Sequence, residues 1–272
     1  MKFELPSKSS VGPEFYVKPK MLVLIGTVHC NMDGKMESHG LFFLTCGSME
    51  KCQSYIPHCI QLAMGWIQRR GGGVTHVVHS SDRARQEFSN GTNLLHLSRH
   101  VDTYGVTAEW VFSVPNEGKG PNDALGFTVG KILEERVARG ATCPDYHAAA
   151  QVLRKYTQGT PIRGKYSVYK QYVFFTVDPS NVNNVDAGKT VPRVTKRFHF
   201  RSMKSGDLEQ RRLPCWCQKC IAGNHETCLY TSWASQWDRA PAPGIRKATN
   251  SQASHDTSFD SASDYASSGS EF

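Results

Sequence analysis

The chain has 272 residues, of which 39% are hydrophobic, and its formal net charge is +8 at pH 7. This length and apolar content predict a folded protein of one or two domains and exclude a wholly disordered chain. The last 22 residues carry three Asp and one Glu but no Lys or Arg, so residues 1–250 hold about +12, and such a basic body favours a polyanionic partner.

Membrane and secretory segments are not predicted. The sequence contains no apolar run of the roughly 18 residues that a transmembrane helix needs, and residues 1–8 lack the apolar stretch of a signal peptide. The nine cysteines are an odd number, and four of them fall between Cys215 and Cys228. This usage favours a reducing, intracellular compartment and a metal site over a disulfide framework.

Strand and helix patterns alternate up to residue 140. In chain order they predict strands at 21–30 and 40–46, a helix capped by Ser48 and stopped at 71–73, a strand at 74–79, a helix at about 93–101, a strand at 109–115 and a helix opening at Asn122 and Asp123. The first two strands predict a hairpin whose loop is somewhat longer than the shortest type. The order predicts an α/β fold with a mixed sheet flanked by helices.

Composition divides the chain further. We assign 1–18 to a flexible arm, 19–140 to the α/β core, 141–212 to a helix and strand extension, 213–239 to a Cys-rich element and 240–272 to a disordered acidic, Ser-rich tail. Within the extension we predict a helix at 146–156, strands at 166–177 and 193–200, and a turn at 205–212. The serines make the tail a candidate for phosphorylation.

The strand before residue 115 and the helix after it form the centre of the predicted core. Apolar residues alternate as in a half-buried strand at Val106, Ala108, Trp110, Phe112 and Val114. They recur at helical spacing at Leu125, Val129, Ile132, Leu133 and Val137. Asp123, Gly126 and Gly130 fall on another helix face, and glycines inside a helix indicate that another group approaches that face closely.

The Cys-rich element has the spacing of a metal site. Its ligand candidates are Cys215, Cys217, Cys220 and Cys228, in the pattern C-x-C-x2-C-x7-C. Thiolates bind Zn²⁺ tetrahedrally, and a C-x2-C turn directs two sulfurs at one ion. His225 is an alternative fourth ligand, and unpaired thiols in a small loop are the alternative to a metal site. We predict structural zinc.

Two aspartates follow predicted strands and are candidate catalytic acids. Asp82 follows strand 74–79, and Asp123 opens the helix after strand 109–115. Convergent carboxylates hold Mg²⁺ or Mn²⁺ for attack on a phosphodiester. The alternative for Asp82 is a turn residue, and for Asp123 a first-turn acid that complements the helix dipole.

Basic residues supply a candidate nucleic-acid surface. Its members are Lys119, Lys131, Lys196, Arg197, Arg211 and Arg212, with Arg69, Arg70 and Arg193 as possible extensions. Lysine and arginine give sequence-independent affinity for phosphates, although a solvated charged face is the alternative for each pair. The short Gly118-Lys-Gly120 segment lacks the Walker pattern, so nucleotide hydrolysis is not predicted.

Three segments resemble a transposon-encoded, transposase-like family of eukaryotic genomes with an RNase H-like, integrase-type core. They are 79–82 with Gln86, Phe88 and Asn90; 109–112 leading to 118–126; and 215–220. The family reads Trp-Ser-Asp-Gly then Gln-Phe-Lys-Asn, Trp-Asn-Phe then Gly-Lys-Gly-x-x-Asp-Gly, and Cys-x-Cys-x-x-Cys. The likeness spans about residues 20–235 in the family's order.

The resemblance implies that Asp82 and Asp123 are the second and third acids of a metal-binding triad, that DNA is the partner, and that the protein is nuclear. The strand that should carry the first acid is missing, because strand 21–30 resembles the family's second strand. Asp33, in the predicted hairpin turn, is the nearest substitute, and Arg83 replaces the glycine after the second acid. The resemblance therefore implies an N-terminally truncated or degenerate copy.

Three functions fit these patterns. The preferred one is a transposase-derived nucleic-acid-binding protein that is catalytically impaired. The alternatives are an active metal-dependent polynucleotidyl transferase or nuclease, and a zinc-stabilised protein-interaction module. A homo-oligomer is compatible with all three.

Overall fold

The computed structural model describes residues 2–4, 20–32, 34–47, 52–70, 73–113, 121–158, 169–182, 186–191, 194–222 and 224–245. Most of the predicted arm, the tail from residue 246, Asp33, Ser48, Lys119 and Arg193 lie outside them. The strands are β1 (Lys2–Glu4), β2 (Lys20–Met32), β3 (Lys35–Cys46), β4 (His76–Ser81), β5 (Thr107–Phe112), β6 (Gln171–Thr176), β7 (His199–Ser202), β8 (Leu208–Arg211) and β9 (Asp238–Ala240). The α-helices are α1 (Tyr55–Arg69), α2 (Gly91–Ser98), α3 (His100–Tyr104), α4 (Pro121–Ala138), α5 (Tyr146–Thr157), α6 (Gln218–Ile221) and α7 (Thr231–Ala234).

The described strands form two sheets rather than the single mixed sheet predicted. A four-stranded sheet has the order β1-β2-β3-β6, and a five-stranded sheet has the order β4-β5-β7-β8-β9. Each contains one parallel pair, β3 with β6 and β4 with β5, among antiparallel pairs. The predicted α/β class with mixed pairing is confirmed. Strands β3 and β5 are each buried on both faces, and each is an interior strand of a separate sheet.

The β2–β3 hairpin is confirmed, but it is longer and tighter than predicted. Its register runs without interruption from Met21 opposite Cys46 to Met32 opposite Lys35. Only two residues then connect the strands, and Gly34 has the positive φ of 78° that a tight turn requires. The prediction of a longer loop was wrong because polar residues at both strand ends continue the ladder.

Two apolar clusters cover the two faces of β3. On one face, Phe42 and Leu44 pack with α4 and α5, and all five predicted apolar positions of α4 are buried there. On the other face, Leu41 and Phe43 share a cluster with α1, α2, β5 and β7. This second cluster joins the two sheets.

Several predicted boundaries differ from the structure. Helix α1 begins after Ser54 rather than Ser48, and the helix predicted at 93–101 is two helices that meet at Arg99. The strand predicted at 166–177 is the shorter β6. The segment predicted as a turn at 205–212 contains β8, which pairs antiparallel with β7. Gly206, with φ of 80°, turns the chain between β7 and β8.

Strand β5 is buried on both faces, so the prediction of a half-buried strand was wrong. It lies between β4 and β7, and Ala108, Trp110 and Phe112 face the cluster that joins the sheets. Glu109 on the opposite face is also buried, at 7% exposure. A covering layer over that face is therefore needed, and the C-terminal element provides it. Among the described helices, none combines the length and apolarity required to cross a bilayer.

Candidate metal centre

The four predicted cysteine ligands converge on one point. The sulfurs of Cys215, Cys217, Cys220 and Cys228 all lie within 4.8 Å of one another, and no other group of three or more potential ligands occurs in the described part of the chain. The Cys215 and Cys228 sulfurs are 3.6 Å apart. Tetrahedral zinc with Zn–S bonds of about 2.3 Å places its sulfurs about 3.8 Å apart. The cluster therefore has the size of a four-sulfur metal site.

Short helical turns bring the sulfurs together. Cys217 precedes α6, and the Ile221 N–H donates to the Cys217 carbonyl at 2.9 Å, so Cys220 follows one turn later on the same side. A 3-10 turn over His225–Thr227 then reverses the chain, and the Cys228 N–H donates to the His225 carbonyl. His225 itself is not in the cluster. The geometry thus selects four cysteines over the alternative with His225.

Burial and backbone hydrogen bonds give the thiols different acidities. Burial raises the pKa of Cys220 to about 12 and also raises the pKa of Cys215. Backbone hydrogen bonds from Cys220 and Leu229 lower the pKa of the less buried Cys217 to about 6. The buried sulfurs become thiolates only beside a compensating positive charge, which a bound metal ion would supply.

Arg211 lies against the cluster, not on the surface where a nucleic-acid ligand would contact it. It is 1% exposed. Its Nη1 donates to the Cys220 sulfur at 3.5 Å, and its Nη2 donates to the Cys215 carbonyl at 3.2 Å. The prediction that Arg211 binds nucleic acid is therefore wrong. The residue points from β8 toward the C-terminal element that covers it.

A buried chain of polar groups continues from Arg211 on β8 through β7 to β5, an interior strand of the five-stranded sheet. Arg211 Nε donates to His199 Nδ1 at 3.0 Å. Because arginine has no acceptor, Nδ1 of His199 is the unprotonated nitrogen, and Nε2–H donates to Glu109 Oε2 at 2.5 Å. Burial lowers the pKa of His199, which agrees with a neutral ring. Although burial acts to raise the pKa of Glu109, the contact with His199 holds it below its ordinary value.

Trp237 packs the C-terminal element against this polar face. The guanidinium carbons of Arg201 and Arg211 lie 4.4 and 4.5 Å from the centre of its ring. The His199 ring centroid is 4.8 Å away. These distances place the indole over the cations, where cation–π attraction is favourable. The cysteine cluster and the sheet therefore form one packed unit.

Both candidate catalytic acids are exposed, and Asp82 makes a local turn contact. Asp82 is exposed directly after β4, and its Oδ1 accepts a hydrogen bond from the Ala84 N–H at 3.1 Å. This contact is the one expected if Asp82 is a turn residue rather than a catalytic acid. Asp123 is exposed in the first turn of α4, which is tied to β2 by a 2.7 Å bond from the Thr27 hydroxyl to Asn122 Oδ1. Within the described residues, no third acidic, His or Cys side chain joins Asp82 and Asp123 in a metal-binding group.

The predicted basic surface is only partly available. Lys131, Lys196 and Arg212 are exposed. Arg197 is half-buried and pairs with Asp238, and Arg70 stacks on Trp66 and lies near Glu37. Arg69 is exposed at the end of α1.

Sequence reasoning missed Glu109, His199 and Trp237. One signal for His199 exists in the sequence: titratable residues stand two positions apart at His199 and Arg201 and again at Glu209 and Arg211, on either side of a Gly206 turn. This is the pattern of a hairpin with one polar face. The corresponding signal on the neighbouring strand β5 is Glu109, an acidic residue among mostly apolar ones.

Comparison with known proteins gives a family but no activity. Residues 20–213 match the family described as "Domain of unknown function (DUF8701)". No curated protein and no solved structure matches the chain. The match ends at Leu213, so the four cysteines follow it directly and pack against its strands. Because the match covers more than half of the 272 residues, the chain belongs to the DUF8701 family.

Proposed function

We propose that this protein is a transposase-derived, catalytically impaired nucleic-acid-binding protein whose C-terminal element is built around a structural zinc ion. The observation that carries the metal is the burial of Arg211 against Cys220. The other acceptors of Arg211 are a neutral imidazole and a carbonyl oxygen. With neutral thiols, the buried guanidinium would contact no opposite charge directly, because Glu109 lies beyond the neutral His199 ring, and a buried charge without a direct partner is costly.

Zinc satisfies this charge requirement. Four thiolates around Zn²⁺ carry a net charge of about −2, and Arg211 offsets part of it. A tetrahedral set of four sulfurs selects zinc or iron among the common biological metals. In a structural site of this kind, metal binding contributes directly to folding. Here it would hold the segment from Pro214 to Ala234 on the sheet.

Nucleic-acid binding is supported by charge. Residues 1–250 hold about +12, and Lys131, Lys196 and Arg212 are exposed. The proposed partner is DNA and the proposed location is the nucleus, both of which follow from the transposase resemblance. The RNase H-like assignment of the core rests on the same resemblance, with which the mixed α/β arrangement is compatible.

Impaired cleavage is supported by the surroundings of the acids. Two-metal phosphodiester chemistry needs several convergent carboxylates. The described residues offer Asp82 and Asp123 without a third ligand, and Asp82 closes a local turn.

The zinc proposal predicts one equivalent of zinc per chain by elemental analysis of the purified protein. Replacement of a ligand in Cys220→Ser should remove most of that zinc, because three thiolates and a hydroxyl hold zinc poorly. Cys30→Ser is the matched control, since Cys30 is a thiol in β2 outside the cluster. Iron in place of zinc, or zinc retained fully by Cys220→Ser, would contradict the proposal.

The nucleic-acid proposal predicts DNA binding that weakens steeply as salt increases, measured by fluorescence anisotropy. Incubation with Mg²⁺ or Mn²⁺ should leave a supercoiled plasmid intact. Nicking that disappears in Asp123→Ala would instead identify an active nuclease. Absence of DNA binding even at low salt would favour the protein-interaction module.

A further inference from the structure

The cysteine element carries an unusual concentration of exposed apolar side chains. The described part of the chain has nine large hydrophobic residues that are at least 43% exposed. Five of the nine lie between residues 216 and 233. These five are Trp216, Ile221, Leu229, Tyr230 and Trp233. Contiguous exposed apolar surface of this kind marks an interaction site.

Four of the five side chains line one groove. The groove is bounded by Pro214, Trp216, Leu229, Tyr230 and Trp233, and Cys215 and Cys217 contribute to its lining. We call it the aromatic groove. The Tyr230 and Trp233 rings are 5.7 Å apart and inclined at 45°. Because two cysteine ligands belong to the lining, the groove depends on the fold of the metal element.

The charges around the aromatic groove favour an anionic occupant. No acidic residue lines it. Arg212 and Lys219 flank it in sequence and are exposed. Arg197, Arg201 and Arg239 pair with acidic side chains, whereas Arg212 and Lys219 have no described acidic side chain within ion-pair distance. Two unpaired cations that flank the groove residues in sequence, together with three exposed aromatic rings, complement a ligand with both negative charge and flat apolar faces.

We infer that the aromatic groove binds unpaired nucleotides of a single-stranded nucleic acid. This inference rests on the proposed nucleic-acid function and names the form of its ligand. Bases stack on aromatic side chains while Lys and Arg contact the phosphates. A duplex covers the faces of its bases, so only an unpaired strand can use the rings. Trp216, Tyr230 and Trp233 would supply the stacking surface.

The test uses the full-length, zinc-loaded protein and two fluorescent probes, an oligothymidine of about 20 nucleotides and a duplex of equal length. We expect the oligothymidine to bind more tightly, with quenching of tryptophan fluorescence. Trp233→Ala and Tyr230→Ala should each weaken its binding about 5- to 100-fold, the usual effect of removing one stacking residue. Zinc content, measured on each variant, verifies that the element remains folded.

Ile221→Ala is the matched control, because Ile221 is 69% exposed on the same element but does not line the groove. Its affinity should stay within about twofold of the parent. Equal, salt-dependent binding of both probes that is insensitive to Trp233→Ala would overturn the inference and leave the proposed function standing. Binding of neither probe would refute both. Binding of anionic phosphatidylserine vesicles alone, lost in Trp233→Ala, would assign the groove to a membrane and also overturn the inference.

Discussion

At the scale of single residues, Arg211 and Arg212 show how neighbours with the same side chain take opposite roles. Successive side chains in a strand point to opposite faces. Arg211, the last residue of β8, is buried against Cys220, while Arg212 is exposed. The sequence presents them as one basic pair, and nothing in the pair itself indicates which member turns inward. That choice depends on His199 and the cysteines.

Replacement of the buried member tests its role as a positioning residue of the metal site. In Arg211→Met, the cluster loses its nearby cation and the hydrogen bond to Cys220, so zinc affinity should fall about 10- to 100-fold. Competition with a chromophoric chelator measures this affinity, and the cobalt-substituted protein reports the ligand field by its absorption spectrum. If Arg211 acts only by filling space, the absorption spectrum of cobalt-substituted Arg211→Met should equal that of the parent protein.

Arg212→Met is the control for the loss of one positive charge. Its zinc affinity and cobalt spectrum should match those of the parent, because Arg212 does not contact the cluster. Arg211→Lys should recover only part of the affinity, since an ammonium cannot reproduce the three directions of the guanidinium donors. Equal zinc affinity in Arg211→Met and Arg212→Met would refute the proposed role.

At the scale of elements, close backbone contacts position helices that periodicity predicts only approximately. The first turn of α2 packs directly on the segment around Gly188. A Cβ atom added at Gly188 would lie 2.0 Å from the Gly91 carbonyl oxygen, and one added at Gly91 would lie 2.2 Å from the Lys189 carbonyl oxygen. These glycines are 97 residues apart, so no local pattern reveals that they meet.

Gly188→Ala should therefore lower the free energy of unfolding by about 1–3 kcal/mol, the usual cost of overpacking a closely packed site. The opposing atoms are backbone and cannot rotate away. Urea denaturation followed by tryptophan fluorescence measures the change. Gly26→Ala is the control, because a Cβ at Gly26 in β2 would meet nothing within 4 Å. If Gly188→Ala and Gly26→Ala have the same free energy of unfolding, the contact between α2 and the segment around Gly188 relaxes without loss of stability, and the prediction is wrong.

At the scale of the whole molecule, three clusters divide the packing. One lies between α4, α5 and the four-stranded sheet, a second joins the two sheets, and a third surrounds the cysteines. The third is small, and its buried members are three cysteines and Ala234. So small an apolar cluster supplies little hydrophobic stabilisation, so we expect the proposed zinc ion and the Trp237 contacts to supply much of what holds it in place.

The sequence by itself determined the features that short-range spacing encodes. The α/β class, the β2–β3 hairpin, the buried face of α4 and the convergence of the four cysteines each follow from residues close together in the chain, and the structure confirms them. Their physical basis is the fixed period of strands and helices and the short reach of a cysteine turn.

Only the tertiary structure decided the division into two sheets, the burial of Arg211 and its link to Glu109 through His199. Glu109 and His199 are 90 residues apart in sequence. Whether a charged residue is solvated or buried depends on which distant partner can satisfy its charge and hydrogen bonds. Such partners are set by the packing of strands from different parts of the chain, and local periodicity carries no information about them.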